Sequence, residues 1–185
     1  MINRITDEMK KCVENECFIA ALALALTLPD TCGKAEYPQE NSTKKRYIDW
    51  YDKYVGFYEK PPSVHSKDMP YSSGEVVYSL RNHMLHQGTP NIDSTKIAED
   101  RCKIDKFHLV IDSVYNGGIS GVSYGMDMEI QERTLEINIV NLCSKIGAAA
   151  KSYYMNNPGK FSFIQYDLKD IRHAYDSLFS EDTHN

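Results

Sequence analysis

The sequence predicts a mainly α-helical bundle carrying a small antiparallel β-hairpin or sheet at about residues 106–137, all within a single domain over residues 1–185. Two observations predict the bundle. Asp7 to Leu28 is rich in Ala, Leu, Glu and Lys, which are strong helix formers. Apolar residues also return at helical spacing in 47–55, 76–84 and 139–153. A third observation predicts the sheet. Phe107, Leu109 and Ile111 recur at every second position, as do Val122, Tyr124, Met126, Met128 and Ile130, the period of a half-buried strand. A chain of 185 residues suits one sizeable core, and no repeat, low-complexity tract or linker divides it.

The first helix is expected from about Asp7 to Leu28. Its second half, Cys17 to Leu26, is apolar on nearly all sides, which suits the centre of a bundle. Pro29-Asp30 and Gly33 are expected to end it. After Lys44-Lys45-Arg46, Tyr47, Ile48, Tyr51 and Val55 share one helical face while Trp50 and Tyr54 lie off it, so this helix is expected to pack on two sides. Residues 56–72, with Pro61-Pro62, Ser63, Ser66 and Pro70, read as a loop. Ser72 or Ser73 then caps a helix, Ser72 with Glu75 matching a capping box. Val76, Val77, Leu80 and Met84 form its apolar face, Gly88 suits the left-handed position past its end, and Pro90 keeps it from resuming. Asn116-Gly117-Gly118 reads as a hairpin turn, the alternation from Val122 to Ile130 as one strand, and Leu135 with Ile137 as a short third strand. Asn138 is placed to cap a helix carrying Ile139, Leu142, Ile146 and Tyr153, which Asn156-Asn157-Pro158-Gly159 ends. A last short helix is expected over Asp167 to Phe179.

Charge and cysteine usage narrow the function. A net charge of −5 excludes a generally basic, nucleic-acid-coating surface but not a local groove built from a few cations. The cysteines at 12, 17, 32, 102 and 143 form no CxxC pair and no metal-finger spacing. An odd number in a domain of this size points to reduced thiols in a cytoplasmic protein, most of them small buried residues. The apolar run Cys17 to Leu26 is too short to span a bilayer. Asp7, Glu8, Glu14 and Glu16 ahead of it do not make the positive flank of a signal peptide, so no membrane association is expected.

The densest chemistry lies in Arg81-Asn82-His83-Met84-Leu85-His86-Gln87-Gly88, with one arginine, one asparagine and two histidines at a helix end. A histidine in a last helical turn also has a structural explanation, because the negative helix end favours its protonated form. On an ideal α-helix Asn82 and His86 share a face while Arg81 lies about 140° round from His86. Spacing alone therefore does not put Arg81 and His86 on one small ligand; an arginine folded across the helix end, or a second copy of the helix across a dimer axis, would. His83 and His86 could hold a metal, but no third ligand of suitable spacing follows, and no metal or cofactor is expected. The tyrosines at 47, 51, 54, 78, 153 and 154 recur at helical spacing and are expected in core or interface rather than as stacking platforms. Gly117-Gly118-x2-Gly121 lacks the strand-to-helix context of a phosphate loop.

The motif from Arg81 to His86, followed by Gly88, resembles the R-x4–6-H signature of the HEPN superfamily, small helical proteins of toxin–antitoxin systems, anticodon nucleases and CRISPR-associated RNases. Asn82 fits the polar residue common after the arginine. A helix, then Cys32-Gly33-Lys34, then a basic helix rich in Tyr and Trp, then Leu80-Arg81-x3-Leu85-His86-x-Gly88, is similar to a group of bacterial and phage-type proteins placed near HEPN domains. The resemblance covers residues 1–90 and the helix at 139–156, with the sheet region as an elaboration. It implies a metal-independent endoribonuclease, acting as a homodimer, in which the RNA 2′-OH attacks the adjacent phosphodiester to leave a 2′,3′-cyclic phosphate. Carried over, His86 is the general acid or base, Arg81 stabilises the charge on the transition state, and Asn82 positions the phosphate or His86. His83 lies outside the signature.

Lys44, Lys45 and Arg46 are candidates to hold RNA, with a solvated charge run as the alternative. Two functions follow from this reading: an RNA-cleaving homodimer in defence or stress control, with an antitoxin or other protein partner, or a non-catalytic HEPN-like scaffold for dimerisation, nucleotide binding or partner binding. The acidic net charge favours the scaffold; the presence of both Arg81 and His86 favours the enzyme.

Overall fold

The computed structural model describes residues 1–60, 69–90, 92–97, 103–112 and 119–165. Helices α1 (Ile2–Glu14), α2 (Phe18–Glu36), α3 (Thr43–Tyr54), α4 (Gly74–Asn82) and α5 (Ile139–Asn156) form a bundle. Strands β1 (Lys106–Val110), β2 (Ile119–Tyr124) and β3 (Ile130–Asn138) form a sheet whose last strand runs directly into α5. The mainly helical architecture with a small sheet is as expected.

The centre of the bundle is α2. Its buried residues, from Ala21 to Ala35, cover about half of its circumference, and α1, α3, α4 and α5 pack on it. Two expectations about this region are corrected. The helix expected from Asp7 to Leu28 is two helices, parted at Asn15–Cys17, where Glu16 takes a left-handed φ of 57°. Glu16 and Cys17 carry no turn signal, so composition alone ran through the break. Pro29 does not end α2, which continues to Glu36. An interior proline costs about 3 kcal/mol through its lost N–H and ring clash, but Pro29 is fully buried and the surrounding helices hold α2 on course. Gly33 marks its closest approach to α3: a Cβ there would lie 2.6 Å from the Arg46 carbonyl oxygen. Among the described residues α2 is the one helix long and apolar enough to cross a membrane by length and composition, and half of that stretch is buried inside the protein.

Helix α3 starts at Ser42, whose side chain accepts from Lys45 N, and packs on two sides as expected. Tyr47, Trp50 and Tyr51 are fully buried, and Trp50 stands 5.2 Å from Tyr54, which stands 5.2 Å from Tyr153 of α5. Helix α4 is capped by Ser73, whose Oγ accepts from Val76 N at 3.3 Å. Ser72 is not the cap, so the box with Glu75 does not form.

The sheet is mixed, not antiparallel. Its order is β1-β3-β2: β3 pairs antiparallel with β2 and parallel with β1, with Phe107 opposite Leu135 and Leu109 opposite Ile137. Burial of Leu135 and Ile137 places β3 centrally, between the two strands that precede it. The strand expected from Val122 to Ile130 is broken by a turn, with Gly125 N donating to Glu129 O and Met128 at φ 65°. Asp127 accepts from Glu129 N at 3.3 Å, and the exposed Met126 and Met128 mimic the alternation of a strand. Leu135 and Ile137 belong to the strand after this turn. Asn138 caps α5 as expected, accepting from Asn141 N at 3.1 Å. The expected turn at 116–118, the final helix at 167–179, most of the proline-rich loop and Cys102 lie outside the described residues.

A carboxylate fastens four parts of this bundle. Glu36, at the end of α2, accepts from Lys53 at 2.6 Å and Tyr54 at 3.1 Å on α3, from Tyr153 at 2.8 Å on α5, and from Lys160 at 2.7 Å beyond it. Burial alone would raise its carboxyl, but hydrogen bonds from Lys160, Lys53, Tyr153 and Tyr54 outweigh burial and bring it down to about 2. A carboxyl depressed on folding stabilises the fold above its unfolded value and loses that contribution as pH falls towards the folded value. The paired lysines are about half exposed, so screening limits the contribution to about 1–2 kcal/mol. Between pH 5 and pH 3, urea unfolding should show the parent losing about 1–2 kcal/mol more than Glu36→Gln; equal losses would remove Glu36 as the fastener.

Candidate functional site

Helix α4 delivers Arg81 and Asn82, and the chain then widens into a π-helical turn, His83–Gln87, in which Gly88 N donates to His83 O. Gly88 takes φ 70° just past it, the left-handed position expected from the sequence. Turns of this i→i+5 kind are rare and occur often at functional sites. This one corrects the expectation that Arg81 and His86 diverge. The wider turn swings residue i+5 back towards the face of residue i, and Arg81 Nη1 lies 3.0 Å from His86 Nε2. Both groups meet within a single chain, so a second copy is not needed to bring them together.

The arginine is held from below. Its Nε and Nη2 donate to Asp30 Oδ2 at 3.0 and 2.8 Å, and its Nη1 donates to Asn82 Oδ1 at 2.9 Å. An arginine has five N–H donors and no acceptor. Two protons go to Asp30 and the two on Nη1 go to Asn82 and His86, which leaves one Nη2 proton. Because the guanidinium only donates, His86 Nε2 is the acceptor in this contact, which assigns the ring proton to Nδ1. Asn82 is turned onto Arg81.

Asp30 was missed in the sequence. A lone acid in an otherwise apolar stretch of α2 was the available signal, because such a group needs a cation. Burial pushes its carboxyl up, and the charge and hydrogen bonds of Arg81, with the charge of Arg46, pull against burial without cancelling it. The geometry gives the reason: both arms of the arginine land on Oδ2, while Oδ1 is buried without a partner.

The three basic candidates part company. Lys45 is paired with Asp49 one turn on, and Arg46 folds back onto the Glu40 carbonyl and Thr43 Oγ1. Lys44 lies 3.9 Å from Glu75 of α4 and joins Tyr78, Ser79, Asn82, His83, Gln87 and Lys96 around a cleft of about 380 Å³ beside Arg81. The tyrosines follow expectation: Tyr47, Tyr51 and Tyr153 are core residues. Tyr78 is half-buried between Tyr47, 5.2 Å away, and the Arg81 guanidinium, 5.9 Å above its ring. Cys32 and Cys143 are buried, which pushes both thiols up to about 12; Cys17 is exposed and Cys12 half-buried. Among the described residues no three His, Cys, Asp or Glu side chains gather to hold a metal.

Comparison with protein-family models, with curated proteins and with solved structures finds no match to the chain.

Stability should separate the two members of the pair. Arg81→Ala strands a poorly solvated carboxylate and is expected to cost about 2–4 kcal/mol in urea unfolding. His86 is exposed, so His86→Ala should stay within about 0.5 kcal/mol of the parent. Equal costs would contradict the anchoring of Arg81 on Asp30.

Proposed function

We propose that the chain is a metal-independent endoribonuclease of HEPN type that works as a homodimer. The observation that carries the reading is the exposed imidazole held 3.0 Å from a guanidinium that is itself fixed on a carboxylate. A titratable imidazole next to a guanidinium supports proton transfer beside a bound phosphate.

The chemistry follows from the donor count. A phosphodiester arriving at Arg81 competes for the two Nη1 protons now held by Asn82 and His86. As the phosphate oxygens take them, His86 Nε2 regains its lone pair and accepts the proton of the RNA 2′-OH. The 2′-oxygen forms a bond to phosphorus, the bond from phosphorus to the 5′-oxygen breaks, and a 2′,3′-cyclic phosphate remains. Arg81, neutralising the extra charge on the five-coordinate phosphorus, contributes most at that point. The departing 5′-oxygen needs a proton from the opposite side of an in-line displacement. One imidazole cannot occupy both sides, and the partner's His86 supplies the second. Asn82 holds Arg81 in register until the phosphate displaces it. In this reading the protein is cytoplasmic and serves defence or stress control, with an antitoxin or other protein partner.

One observation favours the non-catalytic scaffold instead. Four of the five Arg81 donors are already engaged within the chain, which is what an arginine holding only a helix end would show.

Cleavage decides between them. Purified protein is expected to cut single-stranded RNA in EDTA and leave cyclic-phosphate ends, read by mass spectrometry. His86→Ala should lower the rate at least about 100-fold, and Arg81→Lys, which keeps the charge but loses the fork, by a similar factor. No cleavage by the parent across several RNAs, or undiminished cleavage by His86→Ala, overturns the ribonuclease in favour of the scaffold.

A further inference from the structure

The cleft beside the Arg81–His86 pair is used by no step above. We propose that it is a nucleobase subsite, holding the base of the nucleotide whose phosphate meets Arg81. The phosphate's place rests on the ribonuclease reading; the cleft's own binding chemistry does not.

Two of its walls are also walls of the arginine site. Tyr78 carries the Arg81 guanidinium 5.9 Å from its ring centroid, and Asn82 Oδ1 accepts from Arg81 Nη1 at 2.9 Å. A ligand in the cleft therefore meets two side chains that also touch the guanidinium. The volume of about 380 Å³ lies within the ordinary range for small-molecule sites.

The chemistry of the lining favours an uncharged aromatic ring over an anion. The lysines at the cleft each have a carboxylate beside them: Lys44 has Glu75 at 3.9 Å and Lys96 has Asp93 at 3.2 Å. Ser79 Oγ is taken, accepting from Asp93 N at 3.1 Å. What remains is His83, whose Nε2 is buried without a partner, and two neutral amides. Asn82 has its carbonyl committed to Arg81 and keeps its amide protons, and the exposed Gln87 offers both an amide donor and a carbonyl acceptor. Paired donors and acceptors of this kind read the edges of unstacked RNA bases. Tyr78 adds an aromatic surface already pinned by its edge contact with Tyr47, so stacking a base on it orders little that is not ordered before.

The test uses the full-length His86→Ala protein, which removes turnover. It is titrated calorimetrically with the ribonucleoside 3′-monophosphates and, separately, with inorganic phosphate. Nucleotides are expected to bind at least about ten-fold more tightly than phosphate, and adding Tyr78→Leu should cut that advantage at least about five-fold. Gln87→Ala, at an exposed position that does not threaten folding, should change the preference among bases. Nucleotides that bind no better than phosphate, or variants that weaken phosphate equally, overturn the subsite. The two readings fail separately. Base-dependent binding in a parent that cuts no RNA keeps the subsite and removes the ribonuclease; RNA cleavage with base-independent binding does the reverse.

Discussion

Asp30 Oδ2 receives two arms of the Arg81 guanidinium across the contact between α2 and α4, and the arrangement of the polar cluster follows from that contact. The cause lies further back, in α2, whose buried face packs against the other helices. An acid set in such a helix is poorly solvated, and an uncompensated charge there is costly. The guanidinium compensates it while remaining partly open to solvent, its side chain 18% exposed. With Nε and Nη2 turned down onto the carboxylate, Nη1 faces Asn82 and His86 and orients both. Hydrophobic burial thus dictates where a charge sits, the charge dictates how an arginine points, and the arginine dictates where an exposed imidazole stands.

The same contact leaves the site in tension. Asp30 uses one oxygen while the other is buried without a partner, so the pair does not repay the whole of its desolvation. Arg81 is satisfied by groups that a phosphate oxygen could replace. A cluster of this kind is well ordered when empty and has something to exchange when an anion arrives, which is the preorganisation that electrostatic catalysis needs.

Where burial sets the period, the sequence was readable. The two-sided packing of α3 followed from Trp50 and Tyr54 lying off the main face, and the start of α5 followed from Asn138. Gly88 was legible because a left-handed φ favours glycine. Other features are tertiary and leave little local trace. Pro29 persists inside α2 because neighbours hold the helix. The turn at 125–129 hides in an alternation that Met126 and Met128 continue into solvent. The parallel pairing of β1 depends on β3 arriving between two earlier strands. In the site, Arg81, Asn82 and His86 were recognisable by type and by resemblance. Their meeting was not, because His83 to Gln87 carry no residue that separates a π-turn from an α-turn. Asp30 lay fifty-one positions away from its partner in the chain and announced itself only as a lone acid among apolar neighbours.

The central claim is that His86 Nε2 accepts a hydrogen bond from Arg81 inside one chain. Long-range proton–nitrogen correlation NMR at neutral pH reads this directly from the imidazole nitrogens. The account requires His86 in the neutral form with Nδ1 protonated and Nε2 bare, and a change in that pattern when Arg81 becomes Lys. A His86 that carries its proton on Nε2, or that is indifferent to the Arg81→Lys substitution, would contradict it.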